Sequence, residues 1–125
     1  MKLAIIKIKN LKLKAIVGIN PPERIHKQEI VINVAIELDA SKAIKTDDIK
    51  HAMDYKTITK KIIAEVEKSS FFLLEALADF VLQLIMSHKQ VKKATVEVDK
   101  PLALRFADSV SVTVSAKRSY GHDSH

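Results

Sequence analysis

Four side chains in this sequence are of types that handle protons and stand in a loop or at the end of an element, Lys100 at a strand mouth where side chains point into clefts. Lys100 follows an alternating run, Val96 and Val98 on one face with Glu97 and Asp99 on the other, and directly precedes Pro101. A proline has no N–H for a sheet ladder, so the strand is expected to end there with Lys100 at its mouth. Glu23 follows a double proline in a polar loop. Tyr55 starts one helical pattern, and Glu75, after PhePheLeuLeu, starts another. An amine is a base once neutral, a phenol donates a proton, and a carboxylate accepts two hydrogen bonds at once. Each residue also has an ordinary alternative. Lys100 is one of 18 lysines, Glu23 could be a solvated loop acid, and Tyr55 the edge of an amphipathic helix. Glu75 could simply complement the dipole of its helix.

The elements that must position these groups read as follows. Residues 3–19 alternate as one long strand whose apolar face switches near Asn10, which implies a bulge or bend. A loop spans 20–28, and a second strand covers 29–39 with Ile30, Ile32, Val34, Ile36 and Leu38 on one face. The two are expected to pair antiparallel. Residues 40–54 are a connection. Asp54 is a plausible N-cap for a helix from Tyr55 to about Lys68, with a stripe of Ile58, Ile62 and Val66. A second helix, about 72–87, is apolar except along the line 75, 79, 83 and 87. So wide an apolar surface implies cover on more than one side, including contacts between subunits. Strands at 91–99 and 108–118 complete a β-β-α-α-β-β order, an α+β layer of helices on an antiparallel sheet. Long edge strands need pairing or guarding, and joining sheets between subunits would provide it. Residues 1–118 form one domain, and 119–125 read as a disordered tail.

Composition narrows the function classes. The chain has 125 residues, 47% of them apolar, and only two glycines and three prolines, which fits a globular fold. It lacks cysteine, so disulfides and cysteine-ligated metals are excluded, in keeping with a cytoplasmic setting. The five histidines (His26, His51, His88, His122, His125) show no ligand spacing, and no metal or cofactor site is expected. Lysines through the N-terminal apolar positions argue against a secretory signal. Glu75, Asp79 and Gln83 interrupt the longest apolar run, so it is no membrane span. The formal charge of +6 invites a polyanion or phosphorylated ligand, but the lysines are dispersed and aromatics are only 5%, so no nucleic-acid platform is expected. No Ser/His/Asp pattern or phosphate-cradling glycine loop occurs.

Taken together, LysAsnLeu at 9–11, GlyIle at 18–19 with GluArg at 23–24, AspTyr at 54–55, LeuLeuGluAlaLeuAla at 73–78 and AspLysPro at 99–101 resemble the dihydroneopterin aldolase family. The resemblance runs from about residue 4 to residue 118. IleIleLysIleLysAsnLeuLysLeu, GluIleValIleAsnVal and AlaLeuArgPheAlaAspSerVal are similar to its dihydroneopterin triphosphate 2'-epimerase branch, whereas Pro101 is more aldolase-like. The resemblance implies a T-fold, with sheets joined between subunits into a barrel and a homo-octamer of two tetrameric rings. It implies a metal-independent retro-aldol reaction without a Schiff base. Lys100 would be the base, Tyr55 the proton donor to the enol and Glu23 the acid that holds the side-chain hydroxyls. Glu75 would anchor the pterin ring, with backbone groups at Leu74 and Met53, and Arg105 would meet a triphosphate. The implied activity is inversion at C2' of dihydroneopterin or its 3'-triphosphate. The alternative activity is aldol cleavage to 6-hydroxymethyl-7,8-dihydropterin and glycolaldehyde, as in folate biosynthesis. A non-catalytic pterin-binding protein is the reading from another class.

Overall fold

A computed structural model describes residues 1–119; the tail expected at 119–125 falls, from Tyr120 on, outside the described residues. Strand β1 (Leu3–Val17) pairs antiparallel with β2 (Gln28–Asp39), as alternation suggested. The face switch is a bulge. The register shifts between Ile8, opposite Val34, and Leu11, opposite Ile32, so apolar residues on both sides of it face the helices. Asn10 absorbs the bulge at φ 53°, a left-handed conformation that asparagine tolerates. Its N–H is satisfied by Asn33 Oδ1 at 2.9 Å.

The connection after β2 is partly helical. A short helix, α1 (Ser41–Thr46), ends at Asp47 in a left-handed conformation. Helix α2 (Tyr55–Glu67) starts where Asp54 caps it, the carboxylate accepting from Thr57 N–H and Oγ1 at 3.0 and 2.7 Å. Ile58, Ile62 and Val66 are all buried. Then come β3 (Ser70–Phe71), α3 (Leu74–Met86), β4 (Val91–Pro101) and β5 (Ser109–Lys117). In α3 the expected polar line is exposed, and Leu77, Ala78, Val81, Leu82 and Ile85 are buried.

Two expectations need correction. The sheet has five strands in the order β3-β1-β2-β4-β5, and β3 runs parallel to β1 through Ile16–Ser70 and Val17–Phe71. The sheet is therefore mixed. A two-residue strand leaves no alternation, and SerSer at 69–70 reads as a simple break. Second, β4 does not end before Pro101. Pairing with β2 stops at Asp99, opposite Val31, and only β5 runs alongside the last two residues, Lys100 opposite Val110 and Pro101 opposite Ser109. A proline is tolerated where one neighbouring strand has already left. The chain then turns through residues 102–108, with Leu102 at φ 61°.

The core lies on one face of the sheet, where Ile30, Ile32, Ile36, Val96 and Val98 meet Ile62, Leu77, Val81 and Ile85. Burying each such side chain contributes roughly 1.5–3 kcal/mol. The other face carries Glu29, Asn33, Glu37, Lys93, Thr95, Glu97, Thr113 and Ser115. Among the described residues, β5 pairs only with β4 and Leu3–Ala15 only with β2, so the sheet has two long open edges. No helix among the described residues is long and apolar enough to cross a membrane.

Candidate active site

Lys100 projects from the helix-covered face of β4, two residues past buried Val98 and beyond the end of β2. Its Nζ lies 2.5 Å from Glu23 Oε2, with the two side chains only 13% and 20% exposed. Residues 77 positions apart thus meet at the end of the core.

The turn that delivers Glu23 is built locally. Asn20 precedes a 3-10 turn, Pro21–Arg24, whose prolines fix φ in the helical range. Glu23 N–H donates to Asn20 O at 2.9 Å, and Asn20 N–H donates back to Glu23 Oε1 at 3.1 Å. Gln28, the first residue of β2, donates through Nε2 to Glu23 Oε2 and to Val17 O, both at 3.3 Å. Gly18 provides the floor. It is buried at φ 145°, and a Cβ there would overlap the Glu23 carboxyl group. The Lys100 ammonium, helped by the Asn20 N–H and the Gln28 amide, pulls the Glu23 pKa down from 4.5 to about 2. Glu23 is therefore an anion across the neutral range.

Glu75 lies in the first turn of α3, exposed. Among the described residues its carboxylate has no hydrogen-bond or ion-pair partner. Leu73, at the N-cap, offers no side-chain cap, so the first-turn N–H groups beside half-buried Leu74 lack a side-chain acceptor. An exposed carboxylate can accept from the edge of a planar ligand while the free N–H groups next to it donate to that edge. Tyr55 is 52% exposed, and its hydroxyl bonds to nothing among the described residues. Met53 is buried, its carbonyl accepting from Tyr55 N–H at 3.1 Å. Arg105 sits in the exposed 102–108 loop, with its guanidinium carbon 5.4 Å from the centre of the Phe106 ring.

One chain therefore brings Glu23 and Lys100 together. Glu75 and Leu74 belong to the helix that packs on β4 and β5, and among the described residues neither side chain bonds to that pair. Tyr55 and Met53 start the other long helix, and Arg105 stands apart on the loop after Lys100. Sequence reasoning gave no role to Gly18, Asn20 or Gln28. Gly18 was legible as one of only two glycines, five residues before Glu23. Asn20 and Gln28 had no signal beyond being polar residues around the double proline. A hollow lined by Ile5, Ala35, Glu37, Lys93 and Thr95 opens on the uncovered sheet face, away from Lys100.

Several known proteins are similar to this chain over nearly its whole length. The family model described as dihydroneopterin aldolase matches residues 6–115. The chain is 50% identical over 115 residues to the dihydroneopterin triphosphate 2'-epimerase of Escherichia coli K12, covering 92% of this chain and 96% of that one. It is 46% identical over 116 residues to the enzyme of the same name from Pseudomonas aeruginosa, covering 93% and 94%. Its fold is similar to that of E. coli dihydroneopterin aldolase in complex with neopterin, with a TM-score of 0.85 and 26% identity over 90% of this chain and 98% of that one.

Proposed function

The chain belongs to the dihydroneopterin aldolase family, and from that premise we propose that it is a pteridine retro-aldol enzyme. Its main activity inverts C2' of 7,8-dihydroneopterin or its 3'-triphosphate. The observation that carries this reading is the Glu23–Lys100 pair, an amine and a carboxylate meeting at the end of the core. The near full-length likeness to the two epimerases supports the direction of the reaction.

Glu75 accepts from the ring N3–H and 2-amino group, a bidentate match for a carboxylate, while backbone groups at Leu74 and Met53 meet the remaining ring edge. The substrate hydroxyls bond to Glu23 and open its pair with Lys100. Lys100 Nζ, freed from that partner and having passed its ammonium proton to water, takes the proton of the 2'-hydroxyl. The C1'–C2' bond breaks, its electron pair enters the C6–N5 imine of the ring, and a two-carbon aldehyde forms with a pterin enol. Re-addition of C1' to the other face of the aldehyde returns the proton to the new 2'-oxygen and inverts C2'. Protonation of C1' instead, through Tyr55, releases the aldehyde and 6-hydroxymethyl-7,8-dihydropterin. Aldol cleavage is thus the second reading, favoured by the structural likeness to the E. coli aldolase.

Two features support a site shared between copies of the chain. The Tyr55 hydroxyl and the Glu75 carboxylate both lack partners among the described residues, and Phe72 and Leu73, shortly before Glu75, are exposed. The sheet also keeps two long open edges. A ring of subunits, doubled to an octamer, would bring Tyr55 of one copy to Glu75 and Lys100 of the next. Arg105, on a loop beyond Lys100, would meet the substrate's phosphates. The reading is tested by incubating the protein with dihydroneopterin and with its triphosphate and resolving the products by configuration at C2'. A C2'-inverted pterin is the expected main product; no conversion of either substrate would overturn the reading.

A further inference from the structure

Arg24 follows Glu23 directly, yet it reaches a different part of the chain. Its Nη1 donates to Gly18 O at 3.0 Å and to Phe71 O at 2.8 Å, and its Nη2 donates to Ser70 Oγ at 2.8 Å. The guanidinium carbon also lies 3.9 Å over the centre of the Phe72 ring. No carboxylate among the described residues pairs with it. Its charge is met by two carbonyls, a hydroxyl and a ring face, all near the junction of β1 and β3.

That junction is weak without Arg24. Strand β3 has two residues, held to β1 by two register pairs and by Gly18 N–H donating to Phe71 O at 3.1 Å. It leads within four residues to Glu75, through a helix start that lacks a side-chain cap. No other hydrogen bond or ion pair among the described residues links the 3-10 turn of Glu23 to the segment before that helix. We propose that Arg24 is a positioning residue that fastens the Glu23 turn to the segment launching α3, and so fixes the distance between the Glu23–Lys100 pair and the Glu75 ring anchor. The inference rests on the proposed reaction, in which one substrate spans both ends. A lysine cannot replace Arg24, because a single ammonium lacks a planar fork that bonds both strands while stacking on Phe72.

The test compares wild type, Arg24→Gln and Arg24→Lys, each also in a Glu75→Gln background. The first readout needs no substrate: the Glu23 side-chain carboxyl is followed by carbon NMR through an acid titration. The Lys100 ammonium holds its midpoint well below the ordinary carboxylate range in the wild type, and loosening the turn is expected to raise it in both Arg24 variants. The second is kcat/KM on dihydroneopterin triphosphate, expected to fall about 100-fold in both, the scale of a misplacement near 1 Å. That loss should shrink to about threefold or less when Glu75 is already Gln, because Arg24 then has no anchor left to position. An unmoved Glu23 titration, rescue by Lys, or equal loss in both backgrounds overturns the proposal. If Arg24→Gln fails to fold, Ser70→Ala and Phe72→Leu each remove one contact and should give intermediate losses with the same dependence on Glu75. A wild type that converts no pterin refutes the proposed reaction, and the titration still decides what Arg24 does to Glu23.

Discussion

Glu23→Gln keeps the shape of the side chain and removes its charge, so it isolates what the ion pair with Lys100 contributes. A carboxyl held at about 2 instead of 4.5 corresponds to about 3 kcal/mol in favour of the ionised form in the folded protein. Water reaches a side chain that is 20% exposed, and screening reduces the usable contribution to about 1–2 kcal/mol. Because the folded-state value is depressed, this stability is complete above pH 4.5 and is lost as pH falls towards 2. The variant has no carboxylate to protonate and lacks that loss. Urea unfolding at matched protein concentration, followed from about pH 7 to about pH 2.5, should show the gap between wild type and Glu23→Gln narrowing by about 1–2 kcal/mol, nearly all of it below pH 4.5. A gap that stays constant over that range, or narrows mainly above pH 5.5, would refute the ion pair as the source.

Glu75→Gln should weaken pterin binding about 10- to 100-fold, read as Kd by fluorescence quenching, because hydrogen bonds to a charged acceptor contribute about 1.5–3 kcal/mol. Its effect on unfolding should be within about 0.5 kcal/mol, since the side chain is exposed and unpaired. Tyr55→Phe should lower release of 6-hydroxymethyl-7,8-dihydropterin more than inversion at C2', because only the first outcome needs a proton on C1'; equal loss of both products would remove Tyr55 from that step. Arg105→Ala should raise KM for the triphosphate about tenfold and leave unphosphorylated dihydroneopterin unchanged; equal loss on both would sink the phosphate role.

Residues whose roles are periodic were legible in the sequence. The β2 alternation, the Ile58–Ile62–Val66 stripe and the wet line of α3 all read from one-dimensional spacing, because each element buries one face against one core. Asn10 was legible as a change of phase. The register that explains it was not, since that depends on Val34 and Ile32 across the sheet. Strand β3 was invisible because two residues carry no period. Pro101 misled because the rule applies to a strand flanked on both sides, and β2 has already left. At the site, Lys100 and Glu23 stood out by position, but only the folded chain shows that they touch. Gly18 needs no side chain because the Glu23 carboxyl occupies the space, a constraint that exists only in three dimensions.

The central claim is that Lys100 moves the proton that opens the C1'–C2' bond. Single-turnover conversion of dihydroneopterin triphosphate by Lys100→Ala, measured beside its pterin Kd, tests this most directly. The account predicts a rate lower by about 10²–10⁴-fold, the usual contribution of a positioned base, with Kd within about fivefold of wild type. Conversion within about tenfold of wild type would contradict it.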